Sequence, residues 1–244
     1  GSQVAVARDG RIAGEMADNC LTEELATRSE TAMISDDVRL LRYGEGSPFI
    51  DFRLPCGSGL DIVIDPAPDR KDLARCVADL DARRETTLEL PVDERGGLLR
   101  RRHYIPSLRL LVFGTGSECA ALAVLGKAQG VEVIRREPGH GLALHQPHLD
   151  LSADRWTAVL LLFHDHEWEH ALLKWALATP AFYIGAQGGA PARQNRIDRL
   201  RATGCSEEDV ARLTGPVGLI PHARDPGVLA LSILAEVVGA YEAL

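Results

Sequence analysis

The sequence predicts an α/β protein: an N-terminal mixed α/β part, followed by a C-terminal part built on a parallel sheet. Three observations carry this. The apolar runs LLVF at 110–113 and AVLLLF at 158–163 do not alternate, as expected of strands covered on both faces. Segments with helical spacing separate such runs, which is the grammar of β-α-β units. Before residue 104 the grammar differs, with short strands around tight turns and only two helical stretches.

In chain order, residues 4–8 alternate toward Asp9-Gly10 and return through 11–13, a hairpin signal. Residues 21–33 have helical spacing, with Asp18, Asn19 or Thr22 as candidate caps. Segments 38–43, 49–54 and 60–64 read as strands, the last two joined by Pro55-Cys56-Gly57-Ser58-Gly59, a tight turn carrying a thiol. A helix follows over 69–84, with Leu73, Val77 and Leu80 at helical spacing. Strands at 86–92 and 98–104 then pair across Gly96-Gly97. Beyond residue 107, strands at 108–113, 132–134, 157–163 and 181–184 alternate with helices at 117–129, 165–178 and 192–202. Ser206-Glu207-Glu208-Asp209 is a capping-box start for a short helix, and Asp225-Pro226 opens a long one.

The bulk numbers exclude several function classes. A formal charge of −8 argues against an electrostatic grip on nucleic acid or on an anionic membrane surface. No apolar run approaches the roughly 20 residues of a membrane span. Five cysteines at scattered spacings form neither a disulfide framework nor a zinc motif, and point to free thiols in a reducing cytoplasm.

Gly114-Thr115-Gly116-Ser117-Glu118-Cys119 follows an apolar strand and opens a helix, the context that gives a G-x-G-x-x-G-like string its meaning. The first glycine permits the sharp turn. The second lets backbone N–H groups approach a diphosphate at the helix N-terminus. Glu137 stands at the right distance for a carboxylate accepting ribose hydroxyls, with Arg135 and Arg136 beside it. His164 and Asp165 follow the strand at 157–163 and so reach the ligand-facing sheet edge. Gly185 ends the next strand and completes the nucleotide-binding set of Gly114, Thr115, Gly116, Ser117, Glu137, His164, Asp165 and Gly185. The alternative is a domain of Rossmann shape whose turn is empty.

His166-Glu167-Trp168-Glu169-His170 is a literal H-E-x-x-H, the zinc-protease string. Its position argues against that chemistry. Trp168, Ala171, Leu172 and Trp175 form the stripe that must face the sheet, which turns His166 and His170 to the opposite side, toward solvent or a partner. His140, His145 and His148 lie in a Gly- and Pro-containing loop and match no specific metal spacing. The residues therefore support neither a metal centre nor a catalytic set.

The motifs together are familiar. The glycine turn followed by GVEVIRREP, HDHEWE, YIGAQGGAPARQNRIDRL, GPVGLIPHARDP and SILAEVV resembles, in order, the C-terminal domain of the XdhC/CoxI family. DGRIAGEMADNCLTE and RLPCGSGLDIVIDP resemble that family's N-terminal domain. The resemblance implies two domains: residues 1–103, with Cys20 and Cys56, and a Rossmann-like domain over 104–244. It implies an accessory protein that binds molybdenum cofactor transiently and delivers it to a xanthine dehydrogenase-type molybdoenzyme, acting in the cytoplasm as a homodimer. On this reading Cys56, Cys20, Gly57 and Gly59 hold the cofactor, a soft metal suiting a thiolate beside permissive backbone. For Cys76, Cys119 and Cys205, packing is the expected role. Asp18-Asn19 and Ser117 depart from the family's Gly-Gly and His. The rival reading is an NAD(P)-dependent oxidoreductase, with Gly114, Gly116 and Glu137 binding the dinucleotide and His164 near the chemistry.

Overall fold

In the computed structural model, residues 3–14, 21–48, 59–92, 100–139, 141–144 and 150–244 are described. They form two compact units, 1–104 and 105–244.

The first unit is a set of small antiparallel pairs with helices beside them. Strands β1 (Ala5–Val6) and β2 (Ile12–Ala13) form the expected hairpin, with Gly10 at φ 82° in its turn. Helix α1 (Thr22–Ser35) begins after Leu21, which offers no side-chain cap. Thr22 is therefore the first helical residue rather than the cap, and Asp18 and Asn19 lie outside the described residues. Leu21 contributes burial instead: with Leu25 and Ala32 it packs on Tyr43, Ile62 and Ile64. These last three belong to β3 (Arg39–Gly44) and β4 (Gly59–Ile64), paired antiparallel from Arg39↔Ile64 to Gly44↔Gly59. The strand expected at 49–54 lies outside the described residues.

Helix α2 (Arg70–Asp81) is capped by Asp69, whose Oδ1 accepts from the amides of Lys71 at 2.7 Å and Asp72 at 3.4 Å. The stripe read from Leu73 and Val77 is not what this helix buries: Val77 is 58% exposed, whereas Cys76, one residue earlier, is buried against Thr86. Thr86 opens β5 (Thr86–Glu89), antiparallel to β6 (Arg101–Tyr104). Asp69→Ala should lower the stability of α2 by about 1 kcal/mol, the usual value of a lost N-cap. Faster hydrogen exchange at Lys71 and Asp72 would report it; unchanged exchange would show that the cap bonds contribute nothing.

The second unit is a doubly wound parallel sheet. Its strands are β7 (Arg109–Gly114), β8 (Glu132–Pro138), β9 (Gly141–Leu142), β10 (Thr157–Leu162), β11 (Tyr183–Ala186) and β12 (Leu213–Thr214). They lie side by side as β12-β11-β10-β7-β8-β9, and every neighbouring pair is parallel. Numbered from β7, the order is 3-2-1-4-5-6, the order of dinucleotide-binding sheets. All six residues of β10 are buried, because helices cover both faces.

On one face, Leu172, Leu173, Ala176 and Leu177 of α4 (Glu169–Leu177) and Ile197 and Leu200 of α5 (Ala190–Ala202) pack on Leu111, Val159 and Leu161. A short helix, α6 (Glu207–Ala211), adds Val210 to this layer. On the other face, Cys119 and Leu122 of α3 (Ser117–Ala128) and Ile233, Leu234 and Val237 of α7 (Pro226–Tyr241) pack on Leu110, Val112 and Leu160. Successive side chains along each strand point to opposite faces, so neighbours such as Leu110 and Leu111 enter different layers. Among the described residues, no helix is long and apolar enough to cross a membrane.

Candidate functional site

Strand order decides where a ligand can enter. β7 has β8 on one side and β10 on the other, so the connection leaving β7 for β8 and the connection leaving β10 for β11 run in opposite directions. The carboxyl ends of β7 and β10 then bound a crevice, the usual binding place in such sheets. Gly114 closes β7 opposite Leu162, and His164 and Asp165 follow β10 directly. Phe113 pairs with Arg136, which brings Glu137 level with Gly114 on the neighbouring strand. Glu137 thus lies within the carboxyl end of β8, which runs to Pro138, not after a strand ending at 134.

The two glycines are required for different reasons. Gly114 has φ 156°, and a Cβ there would collide with the Leu162 carbonyl oxygen and lie 2.9 Å from Cys119 Sγ. Gly116 is the N-cap of α3 in extended backbone, and a Cβ there would strike the Glu118 carboxylate. Thr115 and Ser117 are exposed beside them. Glu118, by contrast, is 4% exposed, and its Oε1 has no hydrogen-bond partner. The basic side chain beside it is His164, whose Nε2 is 3.8 Å away on a side chain 75% exposed. Sequence reading passed over Glu118 because an acidic residue in a first helical turn ordinarily serves the helix dipole from solvent. Here the fold takes its carboxylate out of solvent, over Gly116.

Cys119 is fully buried at the start of α3. Burial, with the Glu118 charge adding to it, pushes its thiol up to about 11, so it stays protonated and packs, as expected. Gly185 is not at the crevice rim. It stands inside β11, where a Cβ would come within 2.6 Å of the Tyr183 ring and the Val217 side chain. Its smallness therefore serves core packing.

The H-E-x-x-H segment has a structural answer. Asp165 Oδ1 accepts the Glu167 amide at 3.0 Å, and residues His166–Trp168 form one 3-10 turn before α4. The expected stripe is present, with Leu172 buried and Trp168 and Trp175 packed on the core. Glu169, 1% exposed, receives the Arg196 guanidinium through two bonds of 2.6 and 2.8 Å. Arg196, 5% exposed, also donates to the Gln187 carbonyl, just before Gly188 at φ 117°. The second acidic residue of this string, Glu169, thus clamps an arginine that holds the loop leaving β11. His170 does not stand free in solvent: it is half-buried and lines a shallow hollow with Leu173, Asn195, Arg196 and Arg199. The Glu169–Arg196 pair spans 27 residues of sequence, beyond any local pattern. Among the described residues, no group of three His, Cys, Asp or Glu side chains is placed to hold a metal.

Of the residues read as cofactor-binding in the first unit, Cys20, Cys56 and Gly57 lie outside the described residues, as do His140, His145 and His148. Gly59 begins β4 opposite Gly44. A Cβ there would come within 2.9 Å of the Glu45 carbonyl and of the Arg42 guanidinium carbon. Arg42 is tied across this place by the Glu45 carbonyl at 2.7 Å and by Asp61 at 2.8 Å.

Known proteins extend these observations. Residues 110–237 match the XdhC Rossmann domain. Over 250 aligned residues, covering 97% of this chain and 77% of the relative, the sequence is 32% identical to the molybdenum cofactor insertion chaperone PaoD of Escherichia coli K12. The crystal structure of a xanthine dehydrogenase from Bacillus halodurans superposes with a TM-score of 0.73, covering 98% of this chain and 86% of that one. At 18% identity this last likeness concerns the fold alone. The parallel sheet in 3-2-1-4-5-6 order, the matched domain and a relative alike over nearly the full chain lead to one conclusion: the chain belongs to the XdhC family.

Proposed function

We propose that this protein is a molybdenum cofactor insertion chaperone, which binds the cofactor transiently and passes it to a molybdoenzyme of the xanthine dehydrogenase type. The observation that carries this is the 32% identity to such a chaperone over 97% of the chain. Residues 1–103 are the cofactor-holding domain, with Cys56 and Cys20 as thiolate ligands and Gly57 and Gly59 as permissive backbone beside them. Residues 104–244 are the Rossmann-like domain. Transfer needs no catalysis, only a higher affinity in the client than in the carrier. The working form is a homodimer.

The test is molybdenum retained per chain after mixing with freshly released cofactor and anaerobic desalting. Near-stoichiometric retention is expected for the natural sequence. Cys56→Ser should lose most of it, and Cys20→Ser should lose part, because a serine hydroxyl is a far poorer ligand for a soft metal. Absence of retention by folded wild-type protein would overturn the reading. Sedimentation of the purified protein at monomer mass would overturn the dimer.

A further inference from the structure

A glycine turn that binds a dinucleotide keeps the space over its second glycine clear, so that a diphosphate can reach the backbone amides of the helix start. In this chain that space is occupied. The Glu118 carboxylate lies where a Cβ on Gly116 would fall, it is 96% buried, and its Oε1 accepts no hydrogen bond. A diphosphate entering the turn would meet a carboxylate at contact distance in a water-poor place, where like charges repel strongly. Steric bulk and charge act in the same direction. The Glu118 side chain cannot withdraw into solvent without vacating its buried position over Gly116.

We propose that Glu118 is the specificity-determining residue of this turn and that it closes the turn to nucleotide diphosphates. A carboxylate only accepts hydrogen bonds. A group seated here therefore presents an N–H or O–H to Oε1, and His164, 3.8 Å away across the crevice, is the chain's own donor at that edge. The 3-2-1-4-5-6 sheet and the G-x-G string would by themselves indicate a dinucleotide site, and one side chain reverses that indication. The inference does not rest on the cofactor-delivery reading, since it concerns the second unit and uses no molybdenum probe.

The experiment is calorimetric titration of ADP and of NADH into full-length wild type, Glu118→Gln and Glu118→Ala, without divalent cations. Wild type is expected to bind neither with a Kd below about 1 mM. Both variants are expected to gain at least about tenfold in affinity, the alanine variant no less than the glutamine, since it removes bulk as well as charge. Circular dichroism confirms folding; should Glu118→Ala fail to fold, the isosteric Glu118→Gln decides. Micromolar binding by wild type, left unchanged in Glu118→Gln, overturns the proposal. So does failure of every folded variant to gain affinity.

Discussion

Glu169→Ala is expected to destabilise the C-terminal unit by about 3–5 kcal/mol, because it leaves a guanidinium buried without its counter-charge. The magnitude follows from burial. Arg196 is 5% exposed, and the carboxylate that neutralises it through two short bonds is 1% exposed. A surface pair of the same geometry would be worth only about 0–1 kcal/mol. All three tryptophans, at 156, 168 and 175, lie in the second unit, so their fluorescence during guanidinium unfolding reports on that unit directly. A loss under about 1 kcal/mol would mean that water reaches the pair in solution. The double variant Glu169→Leu/Arg196→Leu should recover much of the loss, since replacing both charges removes the orphaned ion rather than creating one. It should not restore the bond to the Gln187 carbonyl, so faster hydrogen exchange near Gly188 would persist.

Gly114→Ala is the second large effect. The added methyl would strike the Leu162 carbonyl on the paired strand and crowd Cys119 Sγ, at a φ of 156° that side chains rarely adopt. Neither obstacle is a mobile surface group: one is sheet backbone and the other a fully buried thiol. Backbone strain of about 1–3 kcal/mol and overpacking of about 1–3 kcal/mol together suggest a loss of about 2–6 kcal/mol in the same fluorescence assay. Gly139 offers a control, since it has positive φ but nothing within 4 Å of its Cβ position, so Gly139→Ala should show only the strain. Equal losses at both positions would mean that the Leu162 contact is not what requires Gly114.

The legible part of this protein was the part written in local pattern. Continuous apolar runs gave away the buried strands β7 and β10, because a strand covered on both faces has no polar side to display. Glycine after a strand and before a helix marked the turn at 114–116. Ordered motifs, with no geometry at all, were enough to indicate the family. Where the reading slipped, neighbours distant in sequence were deciding. Val77 has helical spacing with Leu73, yet β5 lies against Cys76 instead. Gly185 looked like part of the ligand edge, but its smallness answers to Tyr183 and Val217.

By itself, then, the sequence determined the main strands and helices of the second unit, the parallel sheet, the position of the crevice and the family, since each depends on periodicity or on motifs a few residues long; the two-residue strands β9 and β12 carry no such pattern. Only the tertiary structure decided what the charged residues of those motifs do. Glu118 and Glu169 are both acidic residues in the first turn of a helix, and in isolation both would face water. The fold buries one over Gly116 with an oxygen that accepts no hydrogen bond, and packing against α5 buries the other on Arg196. The reason is physical: a carboxylate's role is set by the solvent it loses and by the partner it meets, and both come from parts of the chain far away in sequence.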